Sequence, residues 1–289
     1  MTGYKFEAIG THWEIEIKDE LSKEEESSLF RRIMDRIELF DKDYSRFRDD
    51  SLVLKISKKS GIYKMPKDFS EMISLYKKAY DLTGGLVTPL IGNVLVDSGY
   101  DSKYSLVKKE MTKPKSWDEV IKWDGVNLNI REPVVLDFGA CGKGYLVDIV
   151  SEIIEKDGIK SYVVDASGDM RQRNNEDNEL RVGLEHPEDK EKVIGIVKIK
   201  NQSLCGSAGN RRKWADMHHI INPETLTSPT HILSVWVVAE TTILSDILTT
   251  CLFFTKPEVL QSDFRFEYLI LNSDYSVTKS DIFDVELFR

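Results

Sequence analysis

Residues 136–148 read Leu-Asp-Phe-Gly-Ala-Cys-Gly-Lys-Gly-Tyr-Leu-Val-Asp and pass from a buried-strand pattern through a glycine-rich turn into an amphipathic helix. The glycines at 139, 142 and 144 let the backbone approach a ligand closely and tolerate positive φ. The first amides of the helix have no partner within it and point into the turn, where Lys143 adds a positive charge. The stretch therefore predicts an anion site, with a phosphate-bearing ligand as the first candidate.

Two familiar phosphate-site motifs are excluded by spacing. A Walker A loop needs Ser or Thr after its lysine to hold Mg²⁺, but Lys143 is followed by Gly144. Asp137-Phe138-Gly139 spells the kinase triplet, yet the chain has neither a His-Arg-Asp loop nor a Gly-x-Gly-x-x-Gly loop. Taken alone, the segment would be better explained as a tight strand-to-helix turn that carries a surface lysine.

Charge and hydropathy limit the partners of the chain. Its 289 residues include 49 Asp and Glu against 40 Lys and Arg, which gives a net charge of −9 and a pI of about 5.2. This balance argues against general affinity for nucleic acid or anionic membranes. No segment has the length of a membrane span, and the N-terminus shows neither a signal-peptide core nor a lipidation cysteine. We therefore expect a soluble, cytoplasmic protein as the chain is written, or the trimmed mature form of an exported one.

Cysteine and histidine spacing predicts neither a zinc site nor a disulfide scaffold. Cys141, Cys205 and Cys251 lie far apart and are expected to be reduced and buried. His218 and His219 are adjacent, so on a strand they would point to opposite faces and at most one would face a given site.

Hydrophobic periodicity predicts an α+β fold of mixed, largely antiparallel sheets packed by helices, and the length fits either one large domain or two intimately packed halves. The expected helices span Ser22 to about Phe40 with a Ser22–Glu25 capping box, Asp68–Leu82, the segment from Lys143 to Gly158, and about Thr241–Phe254. The expected strands are 12–17, 161–164, 180–184, 193–199, 233–239 and 268–271, and residues 86–100 are expected to form a loop too irregular for one element.

Four further segments carry polar groups that suit a ligand site. The turn at 165–169 holds two carboxylates after a strand, and 205–212 is a small-residue loop leading to two arginines. His219 stands beside a strand that ends at a proline. Asp246 and Thr250 lie at i and i+4 on one helix, so their oxygens share a face and suit Mg²⁺. Each has an ordinary alternative: a simple turn, solvated arginines, a core or surface histidine, and an exposed helical aspartate.

The order of these motifs resembles the FAD:protein FMN transferases, the ApbE-like flavin transferase family. The matching motifs are Thr-Gly-Gly at 83–85, Asp-Phe-Gly-Ala-x-Gly-Lys-Gly-Tyr-x-Val-Asp at 137–148, Asp-Ala-x-Gly-Asp at 165–169, His-Ile-Ile-x-Pro-x-Thr at 219–225 and Ser-Asp-x-x-x-Thr at 245–250. Ala-Ile-Gly-Thr at 8–11 resembles the family's Thr-Met-Gly-Thr, and Phe-Asp at 40–41, Ser-Arg-Phe at 45–47 and Asp-Ser at 50–51 fit its early pattern.

The resemblance implies an enzyme that cleaves FAD with Mg²⁺ and attaches FMN through its phosphate to a threonine hydroxyl of a target flavoprotein, releasing AMP. It also implies a single domain over residues 1–289, with a flavin site in a cleft between two intimately packed halves. Two alternatives stay open: Mg²⁺-dependent hydrolysis of FAD to FMN and AMP, and a flavin-binding protein without turnover. We find no acceptor motif in the chain itself.

The same resemblance implies the roles of individual residues. The carbonyl of Ala140 and the side chains of Asp246 and Thr250 would bind the metal, and His219 would be the base that removes the threonine proton. FAD would contact Ile9, Gly10, Thr11, Phe47, Leu86, Val87, Thr88, Asp137, Lys143, Asp165, Ser167, Gly168, Asp169, Ser207 and Ile220.

The chain departs from the family pattern at several of these positions. Thr88 and Asn222 each stand where the family commonly has aspartate, Ser167 replaces a glycine and Ile9 replaces a methionine. The loop at 207–212 also differs from the usual Ser-Gly-x-Tyr/Phe-Glu-Arg. Most members are exported lipoproteins, whereas this chain shows neither an export signal nor an anchor.

Overall fold

The computed structural model describes residues 2–176, 178–189, 191–210 and 212–288, and these form helices packed on antiparallel sheets, which confirms the α+β prediction. The helices are α1 (Lys23–Tyr44), α2 (Leu52–Lys58), α3 (Phe69–Leu82), α4 (Gly92–Asp97), α5 (Trp117–Val120), α6 (Gly142–Lys156), α7 (Thr242–Cys251) and α8 (Pro257–Gln261). The strands are β1 (Thr2–Ala8), β2 (Thr11–Ile17), β3 (Gly61–Lys64), β4 (Ile121–Trp123), β5 (Asn127–Ile130), β6 (Tyr162–Asp165), β7 (Asp169–Arg173), β8 (Leu180–Glu185), β9 (Val193–Ile199), β10 (Ser203–Ala208), β11 (Lys213–Trp214), β12 (Met217–His218), β13 (Ile232–Ala239), β14 (Glu267–Asn272), β15 (Val277–Lys279) and β16 (Val285–Leu287).

The larger sheet of the described residues has the order β1-β2-β6-β7-β10-β13-β14-β15, and each neighbouring pair is antiparallel. A smaller sheet, β16-β9-β8, covers part of it, and β3-β5-β4 and β11-β12 form two further sheets. Residues alternate between the faces of a strand. On β13, Val235 and Val237 therefore pack with the helices, while Trp236 and Val238 pack with the smaller sheet. Because both faces of β13 are covered, almost all of its side chains are apolar.

Local sequence signals fix the long helices. The Ser22 hydroxyl accepts the amide of Glu25, and the Glu25 carboxylate accepts the amide of Ser22, so the expected capping box starts α1. α6 begins inside the glycine-rich turn and keeps its apolar stripe buried. Within the described ranges, no helix is long and apolar enough to cross a membrane.

α6 and α7 approach closely where α6 begins. A Cβ added at Gly144 would lie 2.4 Å from the carbonyl oxygen of Thr242 and 2.7 Å from the Cβ of Asp246. No side chain fits there, so the glycine is what lets the two helices touch. We call this contact, between residues 142–148 and α7, the helix junction.

The structure corrects the prediction that 205–212 is a loop. Its first half, through Ala208, belongs to β10, a central strand between β7 and β13. Small residues disfavour strands in isolation, but here packing overrides that preference. A Cβ at Gly206 would lie 3.0 Å from the ring of Trp236, so any larger residue there would have to displace the neighbouring indole slightly.

Two smaller predictions were also wrong. The segment 86–100 is not simply a loop, because it contains a 3-10 helix at Pro89–Ile91 and then α4. The strand expected beside His219, ending at Pro223, does not form, because β12 ends at His218, before His219. There the amide of Ile220 donates to Nδ1 of His218, a local side-chain bond that replaces strand pairing.

Candidate active site

Two adjoining cavities border the glycine-rich turn, and we call the larger one the outer cavity and the smaller one the inner cavity. The outer cavity has a volume of about 680 Å³ and the inner cavity about 130 Å³. Gly139, Ser207, Arg212 and His219 line both, so these residues mark the boundary at which the cavities meet.

The structure brings together nearly all the residues that the sequence predicted for a site. The outer cavity is lined by Gly10, Thr11, Lys143, Asp165, Ser167, Gly168, Asp169 and Asp246, and the inner cavity by Phe47, Leu86, Val87, Thr88, Asp137, Ala140, Ile220 and Thr250. Ser207 and His219 face both. Ile9 is the exception among the described candidates, since it turns the β1–β2 hairpin at a φ of 48° and lines neither cavity. Arg211, the first of the two arginines predicted beside this site, lies outside the described residues.

Of the three groups predicted to bind a metal, Asp246 and Thr250 lie on α7, and Ala140 lies just before α6. The amide of Gly144 donates to Oδ2 of Asp246 at 2.9 Å. Gly144 lies in the first turn of α6, where an amide has no acceptor within the helix, so the Asp246 carboxylate caps this amide. The Tyr76 hydroxyl accepts the Ala140 amide at 3.1 Å and fixes the position of that peptide.

A carbonyl, a carboxylate and a hydroxyl form an all-oxygen set that fits a hard cation such as Mg²⁺. Within the described ranges there is no cluster of three or more His, Cys, Asp or Glu side chains suited to a metal. The set of Ala140, Asp246 and Thr250 contains one carboxylate, so its remaining oxygens would come from substrate phosphates or water, as is usual for Mg²⁺.

Lys143 is held between two carboxylates. Its Nζ lies 2.9 Å from Oδ2 of Asp169 and donates to the carbonyl of Ala166 at 2.8 Å. Burial lowers the pKa of Lys143, but the charges of Asp169 and Asp246 outweigh this effect and leave the pKa above its usual value. The lysine is therefore charged, and 24% of its side chain is exposed to the outer cavity.

Two carboxyl groups near Lys143, those of Asp246 and Asp165, have raised pKa values. Burial, and then the nearby charge of Asp169, raises the pKa of Asp246 well above the usual range. Burial likewise raises the pKa of Asp165, although the amide of Gly168 donates to it and partly offsets the effect. A cation at the helix junction would relieve this excess of negative charge.

His219 is neutral and available at the boundary of the cavities. Burial lowers its pKa to about 3, helped by the positive charges of Arg212 and Lys143. Its Nδ1 is buried and has no hydrogen-bond partner among the described residues. His218 turns the other way: its Nε2 lies 3.0 Å from the carbonyl of Pro229, and its amide donates to Ser228. As expected, only one of the adjacent pair faces the site.

Aromatic side chains that sequence reasoning missed line the inner cavity. Tyr76 comes from α3, where helical spacing marked it as core, and Tyr100 follows α4 without any local signal. Burial raises the pKa of Tyr100 to about 12, so its hydroxyl stays protonated. The inner cavity is thus suited to a flat ring, whereas the outer one is suited to charged groups.

Thr88 and Asn222, which depart from the family pattern, both act as local hydrogen-bond acceptors. The Thr88 hydroxyl accepts the amide of Leu90 and starts the 3-10 helix at Pro89–Ile91. Oδ1 of Asn222 accepts the amides of Glu224 and Thr225 and closes a turn.

Residues 9–264 match the model of the ApbE family. The chain is 25% identical over 264 residues to the FAD:protein FMN transferase of Buchnera aphidicola subsp. Schizaphis graminum, a match that covers 84% of this chain and 76% of that protein. It is 30% identical over 152 residues to the FAD:protein FMN transferase of Escherichia coli K12, and the match covers 50% of this chain and 42% of that protein.

Solved structures of ApbE proteins share the fold. The flavin transferase ApbE from Vibrio cholerae has a TM-score of 0.81 at 18% identity over 96% of both chains. The ApbE protein of Thermotoga maritima has a TM-score of 0.83 at 20% identity over 99% of both chains. This confirms the predicted arrangement of helices and antiparallel sheets.

Proposed function

Because this chain belongs to the ApbE family, we propose that it transfers FMN from FAD to a threonine hydroxyl of an acceptor flavoprotein, in a Mg²⁺-dependent reaction that releases AMP. The observation that carries the proposal is the meeting of Lys143, Asp246 and His219 around one cavity although they are far apart in sequence. Since site residues range from Gly10 to Thr250, we also propose that residues 1–289, whose end residues Met1 and Arg289 lie outside the described ranges, act as a single transferase domain.

FAD is proposed to lie across both cavities with its diphosphate at their boundary. Arg212 carries positive charge at that boundary, and Lys143 carries positive charge in the outer cavity. The inner cavity alone, at about 130 Å³, is smaller than the 300–1,000 Å³ typical of small-molecule sites. The dinucleotide must therefore extend into the outer cavity, where Gly10, Thr11 and the 165–169 turn would contact it.

The carbonyl of Ala140 and the side chains of Asp246 and Thr250 would hold Mg²⁺. When bound, the ion neutralises charge on the diphosphate and orients it for in-line displacement. Asp246 is kept in place for this role by the Gly144 amide, and Thr250 follows one helical turn later on the same face of α7.

His219 is proposed to accept the proton of the threonine hydroxyl. The threonine Oγ bonds to the phosphorus of the FMN half while the bond from that phosphorus to the bridging oxygen breaks, and AMP leaves. A neutral imidazole can take a proton, and a bound diphosphate would raise its pKa by offsetting the charges of Arg212 and Lys143. The low pKa of the free protein would then move toward neutrality when FAD binds.

Weighing an acceptor domain tests this function. The protein is incubated with FAD, Mg²⁺ and a threonine-bearing flavoprotein domain, and the acceptor is then analysed by intact mass spectrometry. A gain of one FMN supports transfer. Free FMN and AMP with an unmodified acceptor would mean that water is the nucleophile, and unchanged bound FAD would mean a flavin-binding protein without turnover.

The metal assignment is tested in the same assay. Chelating Mg²⁺ and replacing its proposed carboxylate ligand, Asp246→Ala, should each abolish transfer, because Mg²⁺ depends on charged oxygen ligands. Asp263→Ala, which removes an exposed carboxylate after α8, is the matched control and should transfer normally. Normal transfer by Asp246→Ala with Mg²⁺ below saturation would remove Asp246 from the metal site.

A further inference from the structure

Arg46 is a buried arginine directly behind the inner cavity. Its side chain is 3% exposed. Nε donates to Oδ2 of Asp137 at 2.6 Å, and Nη1 donates to the carbonyl of Tyr100 at 2.7 Å. Asp137 and Tyr100 both line the inner cavity, so Arg46 joins two of its walls.

The guanidinium of Arg46 also packs between two aromatic rings. Its central carbon lies 4.1 Å from the ring centroid of Phe47 and 4.7 Å from that of Tyr100. These are cation–π distances, and the two rings meet edge to face with their centroids 5.4 Å apart. Phe47 lines the inner cavity as well, so the arginine sets the position of a ring and a carboxylate at once.

Stability alone gives a poor account of this arginine. Nη2 is buried and has no hydrogen-bond partner among the described residues. A buried ion pair with an unsatisfied donor is often no more stable than well-packed apolar side chains of the same volume. The geometry that Arg46 imposes on its neighbours therefore gives a better account of it than stability does.

We propose that Arg46 is a positioning residue of the dinucleotide site, which fixes the Asp137 carboxylate and the Phe47 ring so that the inner cavity receives a flat heteroaromatic ring bearing N–H donors. This inference rests on the proposed function, because it assigns one end of FAD to the inner cavity. Arg46 does not itself line that cavity and acts through its two neighbours.

The free acceptor positions of Asp137 define the chemistry of the ring. Oδ1 accepts the amide of Gly139 at 2.8 Å and Oδ2 accepts Nε of Arg46. A carboxylate has about four lone-pair positions, so about two remain for a ligand. Both rings of FAD offer an N–H group, the adenine amino group and the flavin imide, and stacking on Phe47 suits either.

The test measures binding of FAD, FMN and AMP by isothermal titration. Arg46→Met keeps most of the length of the side chain but removes the guanidinium group, and with it the N–H donors and the charge. We expect it to raise the Kd of FAD about 10- to 100-fold, the usual effect of losing a residue that orients a ligand-binding group. The mononucleotide whose Kd rises in parallel carries the ring that meets Asp137.

Arg48→Met is the matched control. Arg48 lies two residues along the chain and pairs with Glu38, Asp41 and Asp50, none of which lines a cavity. It should bind FAD with the wild-type Kd. Arg46→Lys retains the charge without the planar fork and should weaken FAD binding by an intermediate factor, which keeps the test usable if Arg46→Met does not fold.

A double-mutant cycle separates positioning from a general structural role. Because Arg46 acts through Asp137 as well as Phe47, Arg46→Met should raise the Kd of FAD by a smaller factor in an Asp137→Ala background than in the wild type. Additive losses, or wild-type Kd values for folded Arg46→Met or Arg46→Lys, would overturn the inference while leaving the proposed function standing. Failure of the wild-type chain to bind FAD would overturn both.

Discussion

The helix junction and the segment that carries His219 both border the cavities and are built differently. At the junction, Asp148 accepts the amides of Thr242 and Ile243 and the guanidinium of Arg171, all within 2.6–2.9 Å. The segment 212–222 has strands of only two residues each, and Lys213, Ala215 and Asp216 within it are exposed. The helix junction, one wall of the cavities, is therefore held by several buried hydrogen bonds. Among the described residues, only a few contacts, which we call its anchors, hold the segment 212–222, the other wall.

Those anchors are specific. Nε1 of Trp214 donates to the carbonyl of Ser98 at 2.8 Å, and the amide and ring of His218 bond to Ser228 and Pro229. We infer that the groups proposed to hold the metal are preorganised by the core, whereas the proposed base is positioned by local contacts. Substitutions at the helix junction should then reduce both stability and activity, whereas substitutions in the segment that carries His219 should reduce activity alone.

His219→Ala should give the largest effect and the sharpest contrast. Loss of a general base should slow FMN transfer about 10²- to 10⁴-fold, while FAD binding and the melting temperature stay close to wild type. Single-turnover transfer, FAD titration and thermal unfolding measure the three quantities. Transfer at the wild-type rate would remove His219 from the mechanism.

Asp148→Asn should show the opposite pattern. The amide cannot pair with the charge of Arg171 and accept both α7 amides, so the free energy of unfolding should fall by about 1–3 kcal/mol. Because α7 carries Asp246 and Thr250, the Mg²⁺ concentration needed for half-maximal transfer should rise as well. Denaturant unfolding and a Mg²⁺ titration test both. If stability falls and Mg²⁺ dependence does not change, the junction does not position the metal ligands.

The elements of the junction were predictable and its contacts were not. The apolar periodicity of α6 and α7 is local, and both helices were predicted close to their observed bounds. Arg46 and Tyr100 meet across 54 positions of sequence, and β10 is a strand that pairs with β7 and β13, both distant in sequence. Tertiary packing of this kind overrides local preference. The sequence therefore indicated the proposed ligand groups, but not the contacts that position them, nor that the segment carrying His219 is held by few contacts.

The pH dependence of stability should report the burial of His219. Its pKa is about 3 in the folded protein against an ordinary value of 6.5, so between these values the unfolded chain binds a proton that the folded one excludes. This contribution is complete above pH 6.5 and is lost as the pH falls toward 3. His219→Asn should therefore lose about 1 kcal/mol less stability than wild type between pH 7 and 5.5. Carboxyl groups that titrate in the same range are present in both proteins and cancel in the difference, and parallel pH profiles would contradict the burial of a neutral imidazole.

Asn222→Asp should have the smallest effect, although it restores the residue that the family commonly has three positions after the histidine. Asn222 uses Oδ1 to accept the amides of Glu224 and Thr225, a task that an aspartate oxygen performs equally well. The backbone pairing with Thr227 does not involve the side chain. We therefore expect a change in the free energy of unfolding below about 0.5 kcal/mol and an unchanged transfer rate, measured against Asn222→Ala, which loses the turn and should be less stable. A marked gain in transfer by Asn222→Asp would mean that a carboxylate here reaches the reaction, so that the segment carrying His219 contributes more than its base.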